Sequence, residues 1–334
     1  MTAAASRTRR WRLALLAVVI AGVAPGTFLR TDIGKRSDAA VVTITPRSER
    51  SGVSGALKLT GVWQLTSPHG WFGGFSALAA RGGERLVAGT DRGFLLDIDL
   101  AGEAPRAVPG SFRFIGKPTG GGRSEIVDLE SLAADESTGT LWAAFEGANR
   151  IARFGPDGTR TDVHPAEMKD WSYNSGPETM VRLADGRFLV IAEGSDGDGD
   201  GTHAGLIFPR DPVEKRGTPR AFRFASPEDY DPVDAEALPD GRVLILLRRV
   251  GYTLPAARFD TAIAVADPRE IRAGKPWQAR IIERLDGGIF ADNFEGIAFV
   301  PSPQDPARGS IWVIADDNMS VFQRSLLVRF DWPG

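Results

Sequence analysis

The sequence predicts an all-β protein, a β-propeller of four-stranded antiparallel blades, on three observations. A short acid-bearing phrase recurs: Asp128-Leu129-Glu130-Ser131-Leu132, Gly176-Pro177-Glu178-Thr179-Met180, Val233-Asp234-Ala235-Glu236-Ala237-Leu238 and Asp292-Asn293-Phe294-Glu295-Gly296-Ile297-Ala298. A fifth copy, Gly74-Phe75-Ser76-Ala77-Leu78-Ala79, has Ser76 near the Glu position. The steps are 54 residues (76 to 130), 48 (130 to 178), 58 (178 to 236) and 59 (236 to 295), a period that marks an array or a propeller. A tight turn and then an apolar run follow most of the phrases, and 39 glycines and 22 prolines suit many turns between short strands.

Taken in order, the first element is a targeting segment. Arg7, Arg9, Arg10 and Arg12 precede an apolar run of 12 residues, 13–24, shorter than the roughly 20 that span a bilayer. Residues 1–24 read as a secretory signal peptide or, because Pro25 disfavours a cut after Ala24, as an uncleaved N-terminal anchor. Thr8-Arg9-Arg10-Trp11 loosely resembles a twin-arginine signal. Residues 25–50 read as a polar linker and 51–334 as a single propeller domain. The protein is expected to be periplasmic or secreted, or held to the inner membrane by its N-terminal segment.

Each propeller unit then follows one grammar. The phrase lies on the first, innermost strand. Turns follow at Arg81-Gly82-Gly83-Glu84, Ser137-Thr138-Gly139, Ala184-Asp185-Gly186 and Pro239-Asp240-Gly241, where Asp-Gly supplies the positive φ of a two-residue hairpin. Second strands are read at residues 86–88, 141–145, 188–191, 243–247 and 311–314, and third strands at 94–98, 151–154, 206–208, 262–265 and 326–330. A more polar fourth strand ends most units, as at 112–114 and 280–282. The last unit stops after its third strand, and residues 56–63 are placed to supply the missing outer strand and close the ring. Five blades are visible, with room for a degenerate sixth in the longer spacings.

This topology puts the start of each first strand and the end of each second strand on one face, and the tight turns on the other. Glu130, Glu178, Glu236 and Glu295 therefore gather at the loop-bearing mouth as candidate catalytic acids. The second strands end there with Asp91-Arg92, Glu146, Glu193, Arg248-Arg249 and Asp316-Asp317-Asn318. Carboxylates crowded in a partly dry site raise one another's pKa and titrate together. A hard cation such as calcium can hold them, arginines can pair with them, or backbone N–H groups of neighbouring blades can staple them. Glu193, Asp316 and Asp317 are the candidate metal ligands. Arg92, Asn174, Arg248, Arg249, Asn318 and Arg324 are the candidate substrate contacts.

Other chemistries are excluded or weakly signalled. A net charge of −3 leaves no basic footprint for nucleic acid. The absence of cysteine removes disulfides, thiolate metal sites and a cysteine nucleophile. His69, His164 and His203 are too scattered to argue for zinc. No Gly-x-Ser-x-Gly occurs, and Ser76 and Ser131 read as small packing residues. The run at 195–201 begins like an EF-hand loop, yet Ile207 stands where a bidentate Glu is needed. It is a solvated acidic loop or a shallow calcium loop. The expected partner is a small molecule bound by a monomer.

The phrases also resemble the phytase-like β-propeller family, the "esterase-like activity of phytase" family, over roughly residues 55–330. The marks are Asp128-Leu129-Glu130-Ser131-Leu132, Asn174-Ser175-Gly176-Pro177-Glu178, Arg248-Arg249, the pair Asp292-Asn293-Phe294-Glu295-Gly296 and Asp316-Asp317-Asn318, and then Gln323-Arg324. The resemblance implies a propeller with an acidic, calcium-binding mouth and activity on phosphate esters. Calcium would bridge carboxylates and phosphate, Arg248, Arg249 or Arg324 would hold phosphate oxygens, and water activated by the metal would attack. A non-catalytic propeller that binds a ligand or an envelope partner remains the alternative, as does sugar-lactone hydrolysis at a channel calcium.

Overall fold

The computed structural model describes residues 38–48, 56–82, 84–116, 118–119, 123–124, 128–172, 175–195, 201–253, 256–285 and 287–334. The N-terminal targeting segment, Asn174 and most of the acidic run at 195–201 lie outside them. Strands β1 (Thr43–Pro46) and β2 (Lys58–Thr66) come first. Blade one contains β3 (Phe75–Ala80), β4 (Arg85–Thr90) and β5 (Phe94–Asp99). Its outer edge is split between β6 (Arg106–Ala107) and β7 (Arg113–Phe114), both paired with β5. A ribbon of β8 (Pro118–Thr119) and β9 (Arg123–Ser124) follows.

Blade two is β10 (Leu129–Asp135), β11 (Thr140–Phe145), β12 (Arg150–Phe154) and β13 (Arg160–Val163). Blade three is β14 (Pro177–Arg182), β15 (Phe188–Ser195), β16 (Thr202–Phe208) and β17 (Arg220–Ala225). Blade four starts with β18 (Asp231–Ala237), β19 (Val243–Thr253) and β20 (Ala256–Ala266). The short β21 (Trp277–Gln278) then joins blade three beside β17, and β22 (Arg280–Leu285) completes blade four. Blade five is β23 (Asn293–Pro301), β24 (Gly309–Asp316) and β25 (Leu326–Trp332).

The ring closes through the chain's beginning. Strand β2 pairs antiparallel to β25 and β1 pairs to β2, so blade five has the order β1-β2-β25-β24-β23. The expected closing strand at 56–63 is thus present, shifted to Lys58–Thr66. The blade number is five, and no sixth is built from the longer spacings. Among the described residues helix is confined to short 3₁₀ turns, and no helix there is long and apolar enough to cross a membrane.

The second strands read as continuous apolar runs because both their faces are covered. Leu141 to Phe145, Val243 to Leu247 and Ile311 to Ile314 are all buried, and each buried Leu, Ile, Val or Phe among them contributes about 1.5–3 kcal/mol. The core clusters cross blade boundaries. Trp63 of β2 stacks on Trp312 of β24 at 5.5 Å, within a cluster that also takes Phe75, Leu78 and Leu86 of blade one. Interblade packing holds the first strands around an axis, and that positions the mouth.

Candidate functional site

Every blade carries one irregularity at the same place. The pairing of first and second strands slips by a residue at Ser76, Glu130, Glu178, Val233 and Glu295. Each is a β-bulge residue, unpaired in the ladder and free to be aimed elsewhere. The pairs just above the bulges also correspond. Asp91 N–H donates to Gly74 O at 2.8 Å, Glu146 N–H to Asp128 O at 2.8 Å, and Glu193 N–H to Gly176 O at 3.2 Å. Asp231 faces Arg248, and Asn293 faces Asp316. The second strands therefore deliver Asp91, Glu146, Glu193, Arg248 and Asp316 to equivalent points around the mouth. At Gly74, φ is +70° and a Cβ would lie 2.3 Å from the Asp91 carboxylate, so blade one needs glycine there.

These tiers bring carboxylates together on the side of blades two and three. Asp128, Glu130 and Glu146 each offer an oxygen within 4.8 Å of the others, and so do Glu146, Glu178 and Glu193. Glu146 belongs to both groups. Burial first, then the charge of Asp128, pushes Glu146 up to about 7. Burial and then Asp128 hold Glu130 well above the usual carboxylate range, and burial and then Glu193 do so for Glu178. Burial, opposed by Arg92, raises Asp91 to about 6. Burial followed by Glu193 raises Asp231 to about 6. Asp316 is pushed well up by burial and by Asp91.

Arg248 is the cation among them. Its guanidinium pairs with Glu193 and Glu295 and donates to Asn293 Oδ1 at 3.2 Å. Asn293 Nδ2 in turn donates to Glu295 at 2.6 Å. His203 is buried on β16, with Nδ1 at 2.5 Å from the Glu193 carbonyl oxygen. A carbonyl accepts, so Nδ1 carries the proton. Desolvation lowers the pKa of this histidine, which stays neutral behind Glu193.

Below the bulges stand Ala77, Ser131, Thr179, Asp234 and Gly296. Asp234 is fully buried and accepts from Ser131 Oγ at 2.8 Å, Ile297 N–H at 2.8 Å and Leu78 N–H at 3.4 Å. Ser131 Oγ also accepts from Met180 N–H at 3.0 Å. One carboxylate and one hydroxyl thereby link all five blades and fill the axis beneath the acids. The mouth acids stand above this floor, and the ring they form is called the pit.

Several expected site residues fall elsewhere. Glu236 does not join the mouth acids, because the bulge of blade four is at Val233, three residues earlier. Its carboxylate accepts from Ala237 N–H at 3.0 Å and lies by the N–H groups of Ala80 and Phe299, at the turn end of the axis, where burial raises it to about 8. Arg249 follows Arg248 on one strand and so faces the other side of the sheet. It binds Asp260 at 3.2 Å and the Glu228 carbonyl at 3.0 Å and lies over the Tyr230 ring. Arg324 pairs with Asp292 at 2.8 Å. Asp317 accepts from Gly74 N–H, Met319 N–H and Ser325 Oγ, stapling blade five to blade one. Asn318 is an exposed loop residue with φ of 48°, whereas Arg92 stays on the rim of the mouth, 4.0 Å from Asp91 and over the Trp71 ring at 5.3 Å. Glu130, Glu178, Glu193, Arg248, Glu295 and Asp316 do come together. Asp128, Asp231 and Asn293 were not singled out as ligands by the sequence. Their signal is the position two residues before each bulge, opposite the end of the second strand.

A family model described as "Phytase-like: Esterase-like activity of phytase" matches residues 70–319. No curated protein matches the chain. Solved structures similar to it include a streptogramin B lyase (11% identity, 88% of this chain and 99% of that one, TM-score 0.39). They also include a luciferin-regenerating enzyme (11%, 88% and 96%, TM-score 0.41) and the PQQ-bound aldose sugar dehydrogenase of Streptomyces coelicolor (13%, 89% and 100%, TM-score 0.38).

Proposed function

The chain belongs to the phytase-like family, and from that premise we propose that it is an exported, calcium-dependent phosphoric ester hydrolase working at the pit beside Arg248. The observation that carries this reading is the pair of carboxylate groups sharing Glu146. Their donors are all oxygens, which suits a hard cation. Asp128, Glu130, Glu146, Glu178 and Glu193 would hold it. Calcium bound there would supply positive charge to a phosphoryl oxygen.

The chain's own groups have complementary tasks. Arg248 sets one positive charge against the two carboxylates of Glu193 and Glu295 and so leaves the mouth short of positive charge. Glu146, pushed up to about 7 without a cation, would give up its proton as the cation binds near neutral pH. The Asp234–Ser131 floor keeps the pit blind, so a substrate enters and leaves by the mouth. Export is supported by the arginines ahead of the apolar run at 13–24.

The test is phosphate release from phytate and from an aryl phosphate, with calcium and with chelator. Calcium-dependent release that disappears in Glu178→Gln is expected. Calcium binding without release from any ester would assign the pit to ligand capture instead.

A further inference from the structure

Among the described residues the large apolar side chains left exposed are Val41, Trp71, Val250, Val321 and Phe322. All of them belong to the mouth face. Trp71 lies in the connection from β2 to β3, Val321 and Phe322 in that from β24 to β25, and Val250 on the stretch of β19 beyond Arg248. The first two connections touch each other, since Gly74 N–H donates to Asp317 at 3.2 Å. The opposite face presents polar turns such as Ser137-Thr138-Gly139 and Asp240-Gly241.

The chain also joins the fold on this side. Thr43 of β1 pairs with Thr66, at the mouth end of β2, and the Ser67 hydroxyl donates to Val41 O at 2.6 Å. Residues 25–37 upstream can span at most about 45 Å, so the apolar run at 13–24 is tethered to the face that carries Trp71 and Phe322. A 12-residue run is too short to cross a bilayer, and a single weak anchor gives marginal binding that a second contact makes firm. Trp71 suits such a contact. Trp71 is 54% exposed; its backbone N–H donates to His69 Nδ1 at 3.1 Å, which fixes the loop, and Arg92 stacks on its ring, so the side chain has little freedom to lose. Tryptophan favours the membrane interface, where one end of the ring is apolar and the other wet.

We propose that the rim of the mouth face at blades five and one rests on a lipid bilayer, with Trp71, Val321 and Phe322 entering the headgroup layer and the run at 13–24 inserting beside them, while the side of blades two and three stays open to solvent. The second strands bring Asp91, Glu193 and Asp316 to the same face. The surface therefore suits zwitterionic headgroups. This docking does not require that the pit hydrolyse anything.

The test uses the full chain on phosphatidylcholine vesicles whose acyl chains are brominated, with tryptophan emission as the readout. Trp11 beside the apolar run and the other tryptophans give a background common to all variants. Wild type should be quenched more than Trp71→Phe, Phe322→Trp should add a quenched component, and Ser137→Trp on the opposite face should add none. Equal quenching of wild type and Trp71→Phe, with no quenched component in Phe322→Trp, overturns the proposal. So does equal quenching of Phe322→Trp and Ser137→Trp. Phosphate release plays no part in the readout, so failure here leaves the hydrolase reading to its own test.

Discussion

Asp234 Oδ1 accepts the Ser131 hydroxyl at 2.8 Å across the axis, joining blade four to blade two. The other carboxylate oxygen takes the N–H groups of Ile297 and Leu78. Asp234→Ala would leave those donors buried and unpaired, at a cost of about 1–3 kcal/mol each. We expect a loss on the order of 3 kcal/mol in chemical denaturation. Asp234→Asn can still accept from Ile297 and donate to Ser131 Oγ, so it should lose far less. A neutral Asp234→Ala would mean that the floor does not tie the blades.

The raised acids make the metal-free protein sensitive to alkali. Asp91 and Asp231 at about 6, Glu146 at about 7 and Glu236 at about 8 all titrate above their unfolded values, so the native state holds more protons than the unfolded chain between those limits. Stability is fully present below about pH 4, the unfolded range, and falls as pH rises through the folded values. The unfolding temperature without calcium should drop between about pH 5 and about pH 8. Calcium at about a hundredfold over its Kd should restore about 2.7 kcal/mol, read by calorimetry at the upper pH. A flat pH profile would contradict the burial of these groups.

Glu178→Gln and Glu236→Gln separate the pit from the turn end of the axis. Only the first removes an oxygen donor from the carboxylate groups around Glu146. Calcium titration by calorimetry should weaken at least tenfold in Glu178→Gln, about 1.4 kcal/mol, and stay at the wild-type value in Glu236→Gln.

Arg248 and Arg249 are neighbours with opposite weights. The Arg248 side chain is 15% exposed and is paired to two carboxylates, whereas that of Arg249 is 41% exposed. Arg248→Met strands buried charge and should cost about 3–5 kcal/mol. Arg249→Met should cost no more than about 1 kcal/mol. Urea denaturation of the two variants measures the difference directly.

The fold was legible because each blade restates its own grammar: the apolar second strands Leu141 to Phe145 and Val243 to Leu247, and the Asp-Gly turns at 185–186 and 240–241. The site was legible where the acid falls on the bulge, at Glu130, Glu178 and Glu295. It was misread at Glu236, since Asp234-x-Glu236 matches Asp128-x-Glu130 by letter while the backbone pairing aligns Asp231 with Asp128. Strand alternation alone could have set Arg249 apart from Arg248. Asp234 gave no local sign of its role, because its partners lie 103 and 63 residues away and meet it only once the ring is closed.

The bulge at the head of each first strand has an evolutionary corollary. A bulge residue owes nothing to the ladder, so Ser76, Glu130, Glu178, Val233 and Glu295 can coexist at equivalent positions of one ring. Each blade is in effect a socket whose occupant can be exchanged without redrawing the sheet around it. Relatives built on this frame could therefore drift from one ligand to another through a handful of point substitutions, and a designer could rewrite the pit one blade at a time.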